Sequence, residues 1–334
     1  MRETGCMSSV EYTPAGQSTA IVRGGGREYQ VHAPHAETDY IQSGLVRTGH
    51  PYEEAMLDVM AGVLRPGELV LDVGANVGNH TLYLAVVAQC RVVAYEPNPE
   101  LAAAIRTSVH LNELDDRVTV REVGVFSRPG RGSMENLNPS NLGAQSISVD
   151  PQDGEFDVVA LDDEEQGGRV ALIKIDVEGA ELAVLQGARA LLQRDRPLLF
   201  VECGSEKEFR DVAAFLVGLG YSLQGTYNQT PTHAFAPFAG TEAEQAVNRG
   251  FIETTVALYG MRSERRRLRA EATHLREQLA TLKRRSARER NRLRTLRAEN
   301  AEHEANLQKA RDRIAELVAE VHAVDAGDQG GLET

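Results

Sequence analysis

Short runs of aliphatic and β-branched residues alternate with helix-like patterns through the middle of the chain. The runs predict strands, and the segments between them repeat apolar residues every three or four positions, which predicts helices. The predicted strands are Leu69 to Val73, Arg91 to Tyr95, Val118 to Val123, Val158 to Leu161, Leu172 to Ile175 and Leu198 to Val201. The predicted helices are Thr81 to Ala88, Pro99 to Leu111, Glu181 to Leu192 and Glu206 to Leu219. This alternation is typical of an α/β fold with a mostly parallel sheet.

Further elements are predicted on either side of this alternating region. Residues 52–64 have helical spacing, and Pro66 and Gly67 end that segment. Two pairs of apolar runs predict hairpins, one near the start of the chain and one after the last helix: Ser18 to Val22 with Tyr29 to His32, and Tyr221 to Tyr227 with His233 to Phe238. We expect residues 1–50 to form an N-terminal hairpin segment that covers the substrate side as a lid, and residues 51–260 to form the main domain.

From residue 261 to residue 324 apolar residues follow a seven-residue repeat, which predicts a coiled coil. The a positions are Ala272, Leu279, Ser286, Leu293, Asn300, Leu307, Ile314 and Val321, and the d positions are Leu268, Leu275, Leu282, Glu289, Leu296, His303, Ala310, Leu317 and Val324. The pattern predicts a homo-oligomer or a coiled-coil partner. It leaves the direction of pairing open, because a parallel dimer would place Arg285 opposite Arg290 and Arg292 opposite Arg297. Residues 325–334 are expected to be a disordered tail.

Charge is unevenly distributed along the chain. The net charge is −13, yet residues 262–297 contain 14 Lys and Arg against 4 Asp and Glu. Such a basic stretch is compatible with binding to nucleic acid or to an anionic membrane surface. We favour neither, because the stretch has no aromatic residue for base stacking and its apolar positions form a narrow seam.

Composition places the chain in the ordinary globular class. It has 334 residues, of which 42% are hydrophobic and 25% charged, and it has no apolar run long enough to cross a bilayer. The first 20 residues lack the apolar core of a secretory signal, and three widely spaced cysteines do not suggest a disulfide framework or a structural zinc site. We therefore expect a cytoplasmic protein with reduced thiols.

A glycine-rich loop follows the first strand of the alternating region. Asp72 precedes the pair Gly74 and Gly78, and a helix is predicted directly behind them. The loop is not a P-loop, because Gly78 is followed by Asn79 rather than by Lys and Ser or Thr. It is not a GxGxxG dinucleotide fingerprint either, and a carboxylate at Asp72 would suit a cationic cofactor better than a pyrophosphate.

An acidic residue at the end of the next strand completes this pattern. Glu96 lies 24 residues after Asp72, at a position where a carboxylate can accept hydrogen bonds from ribose hydroxyls. A cofactor with a ribose, a positive charge and no phosphate is indicated, and S-adenosylmethionine fits that description. The predicted cofactor-binding residues are Asp72, Gly74, Ala75, Asn76, Gly78, Asn79, Glu96, Pro97 and Asn98.

The chain resembles the FkbM family of S-adenosylmethionine-dependent methyltransferases over roughly residues 50–240. The resemblance is carried by the segments 71–82 (LDVGANVGNHTL), 95–97 (YEP), 173–181 (IKIDVEGAE) and 184–188 (VLQGA), and by Arg196, Pro197 and Glu202. It implies a class I, Rossmann-like methyltransferase with a mostly parallel seven-stranded sheet. It also implies O-methylation of a hydroxyl on a sugar, glycan or secondary metabolite. The C-terminal repeat is not part of the family pattern.

Methyl transfer to a hydroxyl requires removal of a proton by a general base. Asp176 and Glu178 follow the predicted strand 172–175, at the sheet edge where ligands of open α/β folds bind. Glu202, after the next strand, and His80 complete the predicted catalytic residues. Asp176, Glu178 and Glu202 could instead form an oxygen-rich Mg²⁺ site, although nothing in their spacing demands a metal.

Two other functions remain open from the sequence alone. The first is a catalytically inactive, methyltransferase-like scaffold that presents the coiled coil. The second is a nucleic-acid methyltransferase that uses the basic stretch, although neither Asn98-Pro99 nor Asn138-Pro139 is followed by the aromatic residue of a base-amine methylation motif.

Overall fold

The computed structural model describes residues 11–12, 18–135, 146–150 and 154–328, with side chains for residues 19–134 and 154–320. The chain separates into two compact units, Met1–Gly260 and Met261–Thr334. The described strands are β1 (Glu11–Tyr12), β2 (Ser18–Gly24), β3 (Arg27–Ala33), β4 (Leu69–Val73), β5 (Arg91–Tyr95), β6 (Val118–Arg121), β7 (Gly124–Val125), β8 (Gly130–Glu135), β9 (Ser146–Asp150), β10 (Phe156–Val159), β11 (Val170–Ile175), β12 (Leu198–Glu202), β13 (Tyr221–Tyr227) and β14 (Thr232–Pro237). The described helices are α1 (Tyr40–Thr48), α2 (Glu54–Val63), α3 (Asn79–Val86), α4 (Pro99–Leu111), α5 (Glu181–Gln186), α6 (Arg189–Asp195), α7 (Glu206–Gly218) and α8 (Glu242–Asp328).

The central sheet of the first unit has seven strands among the described residues, in the order β13-β14-β12-β11-β4-β5-β6. Strands β4, β5, β6, β11 and β12 are parallel to one another, and β14 is antiparallel to both of its neighbours. The prediction of a mostly parallel seven-stranded sheet is confirmed. The hairpin of residues 221–238 closes one edge, as the sequence indicates.

Both faces of the central sheet are covered. All five residues of β4 are buried, and alternate side chains enter different clusters, with Val70 in one core and Leu71 in the other. This is the arrangement expected when helices pack on each side of a parallel sheet. The carboxyl ends of β4, β5, β11 and β12 therefore lie along one edge of a rigid platform.

Two smaller sheets lie outside the central one. Strands β1, β2 and β3 form an antiparallel sheet that includes the predicted N-terminal hairpin. Strands β7, β10, β8 and β9 form a four-stranded sheet. The prediction that residues 158–161 continue the series of central strands is wrong, since β10 pairs with β7 and β8 instead.

The single helix predicted for residues 181–192 is divided into α5 and α6. Between them, a Cβ atom on Gly187 would lie 2.2 Å from the carbonyl oxygen of Phe126. The chain approaches another backbone segment so closely here that the helix is interrupted at its glycine.

Two helical segments extend beyond the sequence prediction. Helix α1 was not predicted, although it has ordinary end signals: the Asp39 side chain accepts a hydrogen bond from the backbone of Gln42, and Gly49 ends the helix with a φ of 64°. Helix α8 begins at Glu242, well before residue 261, and continues to Asp328, past the predicted end at residue 324. The remainder of the predicted tail, residues 329–334, lies outside the described residues, as do residues 1–10 of the predicted N-terminal segment. Within the part of the chain that the structure describes, no helix is both long and apolar enough to cross a membrane.

Candidate functional site

The loop between β4 and α3 is held against the ends of two neighbouring strands. The backbone N–H groups of Gly74 and Ala75 both donate to the carbonyl oxygen of Tyr95, each at 3.0 Å. Gly74 has a φ of 76°, and a Cβ atom there would lie 1.8 Å from the carbonyl oxygen of Asp176. Only glycine fits this position, because the loop passes directly over the end of β11.

Glu96 lies at the carboxyl end of β5 and is 6% exposed. One carboxylate oxygen accepts from the backbone N–H of Asn76 at 2.8 Å, and the other accepts from that of Asn98 at 2.9 Å. Burial raises the pKa of Glu96 to about 7 despite these two hydrogen bonds. Asn98 in turn caps α4 by accepting from Glu100.

Lys174 lies beneath the loop with two carboxylates around it. Its Nζ atom donates to the carbonyl oxygen of Gly74 at 2.8 Å and lies 3.4 Å from both Asp72 Oδ1 and Asp176 Oδ2. Burial alone would lower the pKa of Lys174, but Asp176 and Asp72 outweigh it and the pKa is raised. Asp72 also accepts from Thr81 Oγ1 at 2.6 Å. Lys174 therefore links the loop to the strand end that carries Asp176.

A cavity of about 110 Å³ opens beside this loop. Its lining combines the glycine loop, the start of α3, the ends of β11 and β12, and aromatic residues near α1 and α2. The lining residues are Tyr40, Ile41, Tyr52, Glu53, Gly74, Ala75, Asn76, Val77, Asn79, His80, Lys174, Asp176, Glu178, Glu202 and Thr230. The cavity therefore has four acidic side chains and one lysine in its wall.

Two carboxyl groups in this wall have raised pKa values. The pKa of Glu202 is raised to about 9, first by burial and then by the charges of Asp176 and Glu53. The pKa of Glu178 is raised to about 7, again by burial first and then by Asp176. Glu178 also has a left-handed backbone conformation, with a φ of 52°, which is uncommon for a residue with a side chain. At neutral pH Glu202 is therefore protonated, whereas Glu178 is protonated in only part of the molecules.

His80 is paired with a residue that the sequence analysis did not select. Its Nε2 atom lies 3.3 Å from Glu53 Oε2, a charge-pair distance without hydrogen-bond geometry, and both side chains are 9% exposed. Glu53 also has a left-handed conformation, with a φ of 63°. Next to His80, the side chain of Asn79 forms two hydrogen bonds with the backbone of Tyr52. Asn79 and His80 thus fix the segment before α2 against the start of α3.

The structure brings most of the predicted site residues to one cavity. Those that line it are Gly74, Ala75, Asn76, Asn79, His80, Asp176, Glu178 and Glu202. Pro97 and Asn98 line a second cavity, which also includes Glu122 and Arg131, whereas Glu96 lines neither of the two. Asp72 is fully buried under the loop, and Gly78 packs near Ile105; neither lines the cavity. The roles of these residues remain predictions.

Two charged residues of the cavity wall were not selected from the sequence. Lys174 had a signal, since a lysine stands inside an otherwise aliphatic strand, two residues before Asp176. Glu53 had none, because it precedes a helix in a segment without a recognisable motif. Among the described residues, no group of three or more His, Cys, Asp or Glu side chains is arranged to hold a metal ion.

The residues present fit S-adenosylmethionine. Glu96 is buried at the end of β5 and lines neither cavity, but its hydrogen-bond partner Asn76 lines the first and its neighbour Pro97 lines the second. Burial raises the pKa of Glu96 to about 7 although it accepts two backbone hydrogen bonds, so its charged form would be stabilised by further hydrogen bonds. Hydroxyl donors from a ribose would supply them. The acidic wall of the first cavity suits a positively charged ligand, and Gly74 allows close backbone approach. Glu96 and the loop residues 74–78 would hold such a cofactor.

Comparisons with known proteins identify the family of the chain. Residues 72–223 match the methyltransferase FkbM domain. The chain is 31% identical over 220 residues to the 31-O-demethyl-FK506 methyltransferase FkbM of Streptomyces tacrolimicus, covering 56% of this chain and 82% of that protein. It is 28% identical over 173 residues to the hexuronic acid methyltransferase AglP of Haloferax volcanii, covering 49% of this chain and 67% of that protein.

A solved structure of a methyltransferase FkbM from Methylobacillus flagellatus is also similar. The identity is 19% and the TM-score 0.41, over 65% of this chain and 48% of that one, so the chain spans about half the length of that protein. The match to the family domain and the similarity to a relative covered over most of its length lead to one conclusion: the chain belongs to the FkbM family of S-adenosylmethionine-dependent methyltransferases.

Proposed function

We propose that this protein is an O-methyltransferase that acts on a hydroxyl group of a sugar, glycan or secondary metabolite. The observation that carries the proposal is the cavity beside the glycine loop, with Glu53, Asp176, Glu178 and Glu202 in its wall. A hydroxyl acceptor needs hydrogen-bonding groups to orient it and a base to remove its proton. This wall supplies both.

S-adenosylmethionine, when bound, supplies a methyl group on a positively charged sulfur. The protein's part is to orient the acceptor oxygen and to remove its proton during attack. Glu96 would hold the ribose hydroxyls, and the acidic wall would stabilise the positive charge. Lys174 offsets part of the wall's negative charge through its ion pair with Asp176.

Among the predicted catalytic residues, Glu178 is best suited to act as the base. Its pKa of about 7 lies near physiological pH, where a general base is most effective. Asp176 lies 3.4 Å from the Lys174 ammonium and is therefore already engaged in an ion pair. Glu202, with a pKa of about 9, is protonated at neutral pH and can donate a hydrogen bond to the acceptor. His80, paired with Glu53, is the second candidate for the base.

The relatives support a hydroxylated acceptor. One is named for methylation of 31-O-demethyl-FK506 and the other for methylation of a hexuronic acid. The first of these names refers to a methyl group on an oxygen atom. The mixed lining of the cavity here, with Tyr40, Tyr52 and Thr230 beside the acids, is compatible with an acceptor of that class.

The test has two stages. First, calorimetric titration with S-adenosylmethionine should show binding by the full chain. Second, sugars, uronic acids and hydroxylated macrolides would be screened with methyl-labelled cofactor, and transfer of label to oxygen would be identified by mass spectrometry. The wild type should methylate a hydroxyl. If the folded protein, free of copurified ligand, does not bind the cofactor, the proposal fails and the inactive scaffold takes its place.

Substitution of the proposed base gives a sharper measurement. Glu178→Gln should lower kcat by about 10²- to 10⁴-fold and leave cofactor affinity nearly unchanged. Glu37→Gln, at an exposed site outside the cavity, is the matched control. If Glu178→Gln retains activity while His80→Gln loses it, the proton is removed by His80 instead.

A further inference from the structure

The C-terminal part of α8 has an apolar face that is exposed in the part of the chain that the structure describes. Its leucines and isoleucine at the a and d positions from Leu275 to Leu317 are 44–61% exposed. We define the seam as the a and d positions from Ala272 to Leu317. Leaving large aliphatic side chains in water along one face is costly, so a second helix is expected to cover the seam.

The polar residues in the seam are arranged symmetrically. Ser286 and Glu289 come before two leucines, Leu293 and Leu296, and Asn300 and His303 come after them. The midpoint of this arrangement falls between residues 294 and 295. On both sides of the four polar positions the seam returns to Leu, Ile and Ala. The core sequence therefore reads in a similar way from either end.

We propose that two copies of this chain pair through the seam as an antiparallel two-stranded coiled coil, with Leu293 of one copy opposite Leu296 of the other. In an antiparallel pair each a position faces a d position, and this register satisfies that rule along the whole seam. The facing pairs are Ala272 with Leu317, Leu275 with Ile314, Leu279 with Ala310, Leu282 with Leu307, Ser286 with His303, Glu289 with Asn300, and Leu293 with Leu296. Apolar residues meet apolar residues, and polar residues meet polar residues.

A parallel pair would be less favourable in its core. Each residue would face its own copy, so that Glu289 would face Glu289 at a largely buried d position. Two like charges brought together away from water repel each other strongly. In the antiparallel register Glu289 faces the side-chain amide of Asn300, which can donate a hydrogen bond to it.

The distribution of charge favours the same direction. Residues 262–294 contain 13 Lys and Arg against 4 Asp and Glu, whereas residues 295–328 contain 4 against 8. A parallel pair places the two basic halves side by side, and an antiparallel pair places each basic half beside the acidic half of the other copy. At flanking positions Arg292 then faces Glu299 and Lys283 faces Glu304. Arg290 and Arg297 still face each other, as do Arg276 and Arg311, and these repulsions are screened at the solvent-exposed edge.

The seam is long enough to support such a pair. Residues 272–317 span about 70 Å of helix at 1.5 Å per residue. Asparagine at an a position is used in two-stranded coiled coils to select one register over others. The polar layers on either side of the leucine centre would disfavour any shift by a heptad, because a shift places leucine against glutamate or histidine.

Cross-linking of the full chain tests both direction and register. A variant with Ser286→Cys and His303→Cys in a Cys6→Ser background would be treated with a short bismaleimide, and the linked peptides identified by mass spectrometry. Links between position 286 of one copy and position 303 of the other are expected. Each single variant should give no dimer, because the two copies of position 286 would be about 25 Å apart along the axis.

A matched control uses the outer face of the helix. Arg284→Cys with Ala305→Cys places thiols at facing levels but on the side away from the seam, so little cross-linking is expected. Links between two copies of position 286 would show a parallel pair and would overturn the proposal. A monomer in sedimentation equilibrium of the wild type at micromolar concentrations would overturn it as well.

Discussion

The ammonium group of Lys174 lies 3.4 Å from Oδ1 of Asp72, in a place where neither side chain is more than 4% exposed. Asp72 was predicted to contact the cofactor because of its position before the glycines. In the structure its charge is matched by Lys174, which also reaches the carbonyl of Gly74. Asp72 thus stabilises the base of the loop, and any effect on the cofactor would act through the loop.

Removal of the lysine charge should therefore destabilise the fold. Lys174→Met leaves Asp72 buried and unpaired, and we expect a loss of about 3–5 kcal/mol in the free energy of unfolding. Adding Asp72→Asn should recover part of that loss, because the buried charge is then removed as well. Denaturant unfolding of the two single variants and the double variant measures the coupling. Strictly additive losses would show that the two charges do not interact.

Cofactor affinity should depend on the ionisation of Glu96. Its pKa of about 7 means that the carboxylate, the better acceptor for ribose hydroxyls, dominates only above pH 7. The Kd for S-adenosylmethionine should rise by about tenfold per pH unit as the pH falls below 7, and level off above it. Calorimetry between pH 5.5 and about 8.5 measures this profile.

The corresponding variant separates Glu96 from the other acids of the site. Glu96→Gln should weaken binding about 10- to 100-fold at pH 8 and flatten the profile, since it loses a hydrogen-bonded charge. Glu37→Gln, at an exposed residue that lines neither cavity, should bind as the wild type does. A pH profile unchanged by Glu96→Gln would assign the dependence to another group.

Close approach at Gly74 can be separated from the cost of its backbone conformation. Gly74 and Gly67 both have positive φ values, 76° and 83°, but a Cβ atom would meet the Asp176 carbonyl only at Gly74, and would meet nothing within 4 Å at Gly67. Gly67→Ala should cost about 1–2 kcal/mol from conformation alone. Gly74→Ala should cost several kcal/mol more, measured by thermal or denaturant unfolding. Equal losses would mean that the loop can move away from β11.

The raised pKa of Glu202 has a consequence for stability. Between its ordinary value near 4.5 and its native value of about 9, the folded protein binds a proton that the unfolded chain has released, so this group makes stability fall as pH rises. Glu202→Gln abolishes this difference in proton binding between the folded and unfolded states. Its stability relative to the wild type should rise with pH across this window, by at most about 1.4 kcal/mol per pH unit. A difference that does not change with pH would show that Glu202 is ionised in the native protein.

The sequence predicted the platform of the site better than its walls. Strands such as β4 and β5 are continuous aliphatic runs, and their hydrophobic pattern specifies buried parallel strands directly. The glycine loop and Glu96 were recognisable because backbone approach and ribose binding restrict which residues can stand there. Local constraints of this kind are visible in a single sequence.

The parts that were missed depend on contacts between distant segments. Glu53 reaches the cavity because Tyr52 is tied to Asn79, 27 residues away, by two hydrogen bonds. The break at Gly187 depends on the backbone of Phe126. The strand 156–159 has the composition of a central strand, and only its partners show that it belongs to another sheet. Propensity and periodicity carry no information about such pairings.

The start of α8 has a further consequence, which concerns where the chain can be shortened. The hydroxyl of Tyr259 lies 2.7 Å from His233 Nε2 on β14 and donates to the carbonyl oxygen of Cys203 at 2.8 Å. Cys203 directly follows Glu202. A truncated protein that stops after the last strand would lose this contact and leave a buried carbonyl without its donor, one residue from the candidate site. The smallest catalytically competent fragment should therefore extend through Gly260, even though the strands end at Pro237.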